Sequence, residues 1–461
     1  MSRSTTAPSL ALCSLFLTPD KLYNRVHHRN ARPIMKKAAL LAAGESTRMM
    51  PLSANMPKHL LPAAGRPFIF HTLNALKKAG ITETLVVYGY QGEMLREAID
   101  SEDWGKMSVS YVLQEERKGT AHAAGLVKDF AGDDTVLLMN GDVMTGPGTF
   151  TGLIDHHENN NFELSLSVFP IEDPSPYGVV AVEGDKATDL IEKPTPEQMV
   201  SNLVNAGIYA AGESLWEAIE KTELSPRNEY EITDSIMMLI KTKNVGVFTI
   251  PSWWLEIGRP WDLLEANERP MREMKGRISG IVEDGAVLKG EVTVKEGSTV
   301  KSGAYVEGPV YVGEGSIVGP NCYIRPYTCL TENVKVGNGC EVKNSLIMDG
   351  SSIGHLSYVG DSVIGRKVNF GAGTITANLR HDDRPVSVRV KGESVSSGRR
   401  KLGAIIGDNV KTGIGTLLAP GVVLHQDART GIGVVVEKDI GPGKLVRVTQ
   451  KLSETDYTKG Q

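Results

Sequence analysis

The chain has 461 residues, is 41% hydrophobic and 23% charged, and carries a formal net charge of −5. That length exceeds one ordinary core and predicts two or three domains of a globular protein. The slight acidity and the absence of a basic stripe argue against a nucleic-acid partner, and no apolar run reaches the roughly 18 residues that cross a bilayer, which argues against a membrane partner.

The first 34 residues differ from the rest. "SLALCSLFL" is a short apolar run and "NRVHHRNARP" is basic and irregular. The basic lead-in to the apolar run is weak and no A-x-A site follows, so residues 1–34 read as an extension without stable structure. Residues 35–275 then alternate strand-like and helix-like segments. "KAALLA", "ETLVVYGY" and "DTVLLMNGD" are β-rich apolar runs, and "FIFHTLNALKKAG" is an amphipathic helix closing on a glycine. The alternation predicts an α/β domain, a largely parallel sheet covered on both faces. Ligands of such sheets sit at the carboxyl ends of strands.

One strand end carries chemistry. In "AALLAAGESTRMMPLSANMPKHLLP" (residues 38–62) an apolar strand stops at Gly44, where the backbone can turn and present N–H groups to an anion. Arg48 offers a planar fork for phosphate oxygens and Lys58 a point charge. No G-K-[ST] follows, which excludes a P-loop, and no G-x-G, which excludes the dinucleotide fingerprint.

From residue 276 the pattern changes. Every sixth residue from Val282 is apolar: Val282, Leu288, Val294, Val300, Val306, Val312, Val318, Ile324, Leu330, Val336, Val342 and Met348. A helix would rotate such a stripe around its axis, whereas a period of six is the signature of a parallel β-helix. The stride drops to five between Met348 and Ile353 and again between Val359 and Ile364, around "GHLSYVGD". A polar excursion of about 25 residues follows, and the six-step resumes at Ile406 with Leu418, Leu424 and Val436 in phase. The β-helix is expected to span 276–445, with 446–461 a tail. Long loops off a rigid scaffold carry function. The four cysteines, Cys13, Cys322, Cys329 and Cys340, lack C-x-x-C spacing. Three of them fall in the repeat, at positions that want small residues, and read as reduced thiols of a cytoplasmic protein.

The span "LAAGESTRMMPLSANMPKHLLP" resembles the signature of sugar-1-phosphate nucleotidylyltransferases, and further motifs occur in that family's order. The resemblance implies a Rossmann-like fold and places Ala42, Ala43 and Gly44 against a nucleotide. It gives Gln114, Gly119 and Thr120 of "LQEERKGTAHA" the reading of a uracil or thymine base. Asp142 of "NGD" and Glu256 of "WWLEIGRPWD" would hold magnesium. Gly178 of "YGVV", Glu192 and Lys193 of "IEKP" and Asn205 of "NAGIY" would contact the sugar phosphate, with Glu229 and Asp234 nearby. Arg48 and Lys58 would offset the departing pyrophosphate. Two positions depart from the family pattern: Ser46 stands for its usual glycine and Glu256 for its usual aspartate.

The second half is also familiar. "HLSYVGD" followed by "VNFGAGTITANLRHD" resembles the acetyltransferase half of bifunctional UDP-N-acetylglucosamine pyrophosphorylase/glucosamine-1-phosphate acetyltransferases, and "SSGRRKLGAIIGDNVKTGIG" resembles their archaeal branch. That likeness implies a left-handed, hexapeptide-repeat β-helix and a homotrimer with acetyl sites between neighbouring β-helices. His355 becomes the general base, Arg325 and Lys343 hold the sugar phosphate, Tyr358 and Asn369 contact the sugar, and Asn378 the sugar or acetyl group. An imidazole near pKa about 6.5 suits an amino-sugar nucleophile whose own pKa lies near about 8. The function so implied is acetyl transfer from acetyl-CoA to glucosamine 1-phosphate, then uridylyl transfer to the product. The alternative is a single-activity glucose-1-phosphate uridylyl- or thymidylyltransferase whose β-helix is structural. The motifs leave UTP and dTTP both open, and gluco and galacto acceptors likewise.

Overall fold

The computed structural model describes residues 35–455. The expectation for residues 1–34, Cys13 included, lies outside them.

Residues 37–249 build a nine-stranded sheet. Its strands are β1 (Lys37–Ala42), β2 (Glu83–Tyr88), β3 (Ser108–Leu113), β4 (Val136–Asn140), β5 (Leu164–Pro170), β6 (Gly178–Glu183), β7 (Lys186–Glu192), β8 (Leu203–Ala211) and β9 (Val245–Thr249). They lie in the order β3-β2-β1-β4-β8-β5-β9-β7-β6. Strand β1 shows how the sequence fills both faces. Ala38, Leu40 and Ala42 enter one apolar cluster, while Ala39 enters the other. Helix Phe68–Lys78 covers the first face with Ile69, Phe70, Leu73 and Leu76. It ends as the alternation predicts, with Gly80 left-handed at φ +92°.

The sheet is mixed, not largely parallel. Strands β3-β2-β1-β4 run parallel, as do β5 and β9, but β8 is antiparallel to both β4 and β5, and β7 is antiparallel to β6 and β9. The hairpin between β6 and β7 explains part of this. Glu183 pairs with Lys186 across Gly184 and Asp185, and so short a connection joins only antiparallel strands. Alternation of apolar runs does not report strand direction.

Beyond residue 277 the chain coils through three parallel sheets, taking one strand of each in turn. Val282 pairs with Val300 and Val300 with Val318, so one coil takes eighteen residues, three six-residue sides. The stride residues Val294 to Val342 are buried in one continuous interior cluster, with Cys322 and Cys340 among them. Met348 is a correction. Leu330 stacks on Ile347, so Ile347 points inward and Met348 outward. The first five-step therefore falls between Val342 and Ile347. Both residues are apolar, so periodicity could not choose between them.

One side of the coil is buried twice over. On the sheet carrying Cys329–Leu330, Leu346–Ile347, Val363–Ile364, Ile405–Ile406 and Val423–Leu424, the second residue of each pair fills the interior. The first faces outward into another cluster, with Met49, Leu52, Leu61, Phe68, Ile257, Trp261 and Leu264 from the nucleotidylyltransferase-like half. Cys329 is thus a packing residue of this seam, not of the interior. The polar excursion forms a hairpin, Ser387–Val390 with Glu393–Ser396, and adds Val386, Val388 and Leu402 to the same cluster. Asn55 Nδ2 also donates to Asp408 Oδ2 at 3.2 Å. The loop that carries Arg48 is thereby seated on the coils. No helix among the described residues is long and apolar enough to cross a membrane.

Candidate active sites

A cavity of about 890 Å³ opens at the carboxyl ends of β1 and β4. Thirteen expected residues line it: Ala43, Gly44, Arg48, Lys58, Gln114, Gly119, Thr120, Asp142, Gly178, Glu192, Lys193, Asn205 and Glu256. Ala42 lies one residue short, its side chain buried in the sheet core. Glu229 lines the cavity; Asp234 is not among its lining residues.

Local folding explains the geometry. Asp142 follows β4, and the two-stranded ribbon Val143–Thr145 with Trp254–Glu256 pairs Val143 with Glu256. That register sets two carboxylates at one end of the cleft. Lys58, buried on a single 3₁₀ turn, ion-pairs with Asp142 and donates to Ile257 O at 3.3 Å. Arg48 Nη2 stands 3.7 Å from Glu256 Oε1. The loop before it departs from glycine at a telling place: Ser46 is left-handed at φ +59°. A side chain there costs on the order of 1 kcal/mol that glycine avoids. Ser53 Oγ donates to Ser46 O at 2.9 Å and holds the strained turn.

The charges of the site are coupled. Burial works against ionisation of Asp142, but Lys58 outweighs it and holds the carboxyl below its usual range. Burial first, and the Asp142 charge second, push Glu256 up to about 7. Glu256 therefore keeps its proton in the folded chain through a range in which the unfolded carboxyl, near 4.5, has lost it. The folded state binds more protons there, so stability falls as pH rises from 4.5 to about 7. Glu256→Gln is expected to flatten that slope and to stabilise the metal-free protein at pH 8, by up to about 3 kcal/mol. Urea unfolding at pH 5 and pH 8 without divalent ions measures it; a slope untouched by the substitution would contradict the assignment.

At the base end, Gln114 Nε2 lies 2.9 Å from His122 Nδ1 and donates to Gly119 O at 3.4 Å. His122 thus orients the glutamine. Gly119 is left-handed at φ +105°, and a Cβ there would meet Tyr230 O at 2.4 Å, so this turn admits only glycine. At the sugar end, Asn205 Nδ2 donates to Tyr209 Oη at 2.8 Å. Motif reading missed Arg227, which lines the cavity, ion-pairs with Glu231 and reaches Glu192 at 3.4 Å. Its place at the head of "RNEYE", four residues before Glu231, was the available signal. Also missed was His59, beside Lys58, whose ring burial pushes down to about 3 and keeps neutral.

In the coils, the expected acetyl-site residues fall on two adjacent sheets. Arg325, Lys343 and Tyr358 follow or lie in stacked strands of one sheet; Arg325 Nη1 donates to Glu341 Oε1 at 2.8 Å. Asn378 follows the next strand, and its Nδ2 reaches Tyr358 Oη at 3.2 Å. His355 and Asn369 belong to the adjacent sheet and are exposed. Between His355 and Tyr358 the chain turns the corner at Leu356, left-handed at φ +49° and 64% exposed.

A family model described as nucleotidyl transferase matches residues 37–273, and one described as the GMPPB C-terminal domain matches residues 306–428. The chain is 43% identical over 410 residues to the bifunctional protein GlmU of Methanococcus maripaludis, covering 89% of this chain and 96% of that one. It is 40% identical over 416 residues to the bifunctional sugar-1-phosphate nucleotidylyltransferase/acetyltransferase of Sulfurisphaera tokodaii, covering 89% and 100%. A solved UDP-glucose pyrophosphorylase complexed with UDP-glucose superposes on 52% of this chain at 23% identity, with a TM-score of 0.49.

Proposed function

Because the chain belongs to the family of bifunctional GlmU-type sugar-1-phosphate nucleotidylyltransferase/acetyltransferases, we propose that it acetylates glucosamine 1-phosphate and then joins the product to a uridylyl group. The observation that carries the first chemistry is the trio Lys58, Asp142 and Glu256 at the end of a cleft lined by thirteen expected residues. The phosphate oxygen of N-acetylglucosamine 1-phosphate attacks the α-phosphorus of UTP, and the bond to the β-phosphate oxygen breaks, releasing pyrophosphate. No protein nucleophile is needed, so the chain supplies position and charge. Arg48 and Lys58 offset the triphosphate, with backbone N–H groups around Gly44. Gln114, its nitrogen engaged by His122 and Gly119, presents its carbonyl oxygen to a base N–H. Lys193 and Arg227 take the sugar phosphate, and Glu192 and Asn205 its hydroxyls.

Two carboxylates at one end of the cleft, Asp142 below its usual range and Glu256 pushed up to about 7 by burial and then by the Asp142 charge, are a donor set that a hard divalent cation suits. Asp142 and Glu256 would hold magnesium, which supplies charge neutralisation between the phosphates when bound.

In the second chemistry the sugar amine attacks the thioester carbonyl of acetyl-CoA. The C–N bond forms, the C–S bond breaks and His355 takes the amine proton. Arg325 and Lys343 hold the phosphate, Tyr358 and Asn369 the sugar, and Asn378 the sugar or acetyl group. The coils form a left-handed β-helix over 276–445, following a nucleotidylyltransferase domain at 35–275, and the protein works in the cytoplasm. Three copies assemble through the sheet that leaves Val287 and Tyr305 at one end and Leu417 and Val435 at the other between 38% and 58% exposed. Sedimentation of the purified protein is expected to give three chains per particle, and a monomer at micromolar concentration would refute the assembly.

The experiment is two assays on one preparation. Pyrophosphate release from UTP and N-acetylglucosamine 1-phosphate with magnesium reads the first chemistry. Free-thiol release from acetyl-CoA and glucosamine 1-phosphate reads the second. Both are expected; pyrophosphate without thiol would leave the coils a structural role only.

A further inference from the structure

We propose that Asp361 is a positioning residue for acetyl transfer, setting Lys343 and Asn378 in their working orientation; the inference rests on the acetyl-transfer reading of this corner. Asp361 closes the strand Tyr358–Gly360, is left-handed at φ +50°, and its side chain is 4% exposed. A buried carboxylate survives only where donors satisfy it. Here three side chains do so. Lys343 Nζ donates to Oδ2 at 2.9 Å, Asn378 Nδ2 to the same oxygen at 2.5 Å, and Asn344 Nδ2 to Oδ1 at 2.9 Å.

Two of those donors are residues assigned to the substrate, and the third is next to one in sequence. Asn378 also reaches Tyr358 Oη at 3.2 Å, which draws a third assigned residue into the same network. The network spans three successive coils: Lys343 and Asn344 lie in the coil before Asp361 and Asn378 in the coil after. A carboxylate that only braced a solenoid corner could have accepted from backbone N–H groups. Asp361 instead accepts from three side chains, one of which, Asn378, it shares with Tyr358. Lys343 has three N–H donors. With one fixed on Asp361, the ammonium is steered and two donors remain for a phosphate. The fixed Asn378 amide likewise leaves its carbonyl oxygen for an N–H of the sugar amine or of the acetamide it becomes.

Asp361→Asn keeps the shape, removes the charge, and sets an amide N–H₂ where an acceptor stood. The KM for glucosamine 1-phosphate is expected to rise about ten- to a hundredfold, the loss of a charge-assisted hydrogen bond. The KM for acetyl-CoA and the rate of nucleotidyl transfer are expected to stay near the parent's, while the thermal midpoint falls because Lys343 loses its buried counter-charge. A role in bracing alone would instead degrade both acetyl-transfer KM values together. In a Lys343→Ala background, Asp361→Asn is expected to add little, since one acts through the other; full additivity would overturn the inference. Should Asp361→Asn fail to fold, Asp361→Glu, which shifts the charge by one methylene, reads the same KM. An active parent with an unaffected Asp361→Asn variant overturns this inference alone. A parent that never consumes acetyl-CoA overturns the acetyl-transfer reading and the inference with it.

Discussion

Asp142→Asn is expected to lower nucleotidyl transfer at least about a thousandfold, equivalent to about 4 kcal/mol of transition-state stabilisation, while acetyl transfer proceeds at the parent's rate. The size follows from where Asp142 sits. It is the ion-pair partner of Lys58, and its charge is the largest single charge acting on Glu256. Removing it deprives a divalent cation of the carboxylate that stays ionised in the cleft. The protein itself should tolerate the change. Without the Asp142 charge, Glu256 ionises more readily and becomes the counter-ion for Lys58, whose pairing would otherwise be lost in a buried site. Thermal unfolding close to the parent's, with pyrophosphate release gone, is the signature. A variant that keeps a tenth of the activity would mean that the cation is held elsewhere.

His355→Ala is expected to do the reverse. Acetyl transfer falls about a hundred- to ten-thousandfold, the usual worth of a general base, and nucleotidyl transfer is untouched. His355 is exposed at the end of its strand, so the truncation leaves no cavity and should cost little stability. The residual rate carries a further sign. With no base to take the proton, reaction depends on amine already free in solution, so the variant's rate climbs as pH passes the amine pKa near about 8. Parallel pH–rate profiles for thiol release test this; an alanine variant as fast as the parent at pH 7 would remove His355 from the mechanism.

The two sites were legible in the sequence to different degrees. The cleft was read closely, because its residues sit in contiguous motifs at strand ends, where position in the chain fixes position in the fold. Gly119 shows the strength of that link: its spacing matters because Tyr230 backbone fills the room a side chain would need. Arg227 escaped because it enters from a loop between helices, held by two acids distant or near in sequence. The coiled half was legible as a six-residue stride, but the stride says which residues point inward and nothing of what covers the outside. A finer signal was present. Apolar pairs run through four consecutive strands of one sheet, Leu346–Ile347, Val363–Ile364, Ile405–Ile406 and Val423–Leu424, while the next sheet shows Thr299, Lys335, Ser352 and Asn369 among its outward residues. Pairs such as Leu417–Leu418 and Val435–Val436 also occur on the third sheet with the first residue exposed, so it is the unbroken run, not a single pair, that marks the side buried from both directions. Asp361 had no such mark, since a carboxylate after a glycine at a turn reads the same whether it faces water or a lysine.

The central claim is that one polypeptide holds two independent sites. Mixing purified Asp142→Asn and His355→Ala proteins tests it most directly, with glucosamine 1-phosphate, acetyl-CoA, UTP and magnesium as the only inputs. Neither variant alone should form UDP-N-acetylglucosamine, because one cannot transfer the nucleotide and the other cannot acetylate. The mixture should form it, the acetylated sugar phosphate diffusing from one protein to the other. A mixture as silent as its components, or product from either variant alone, would contradict the account.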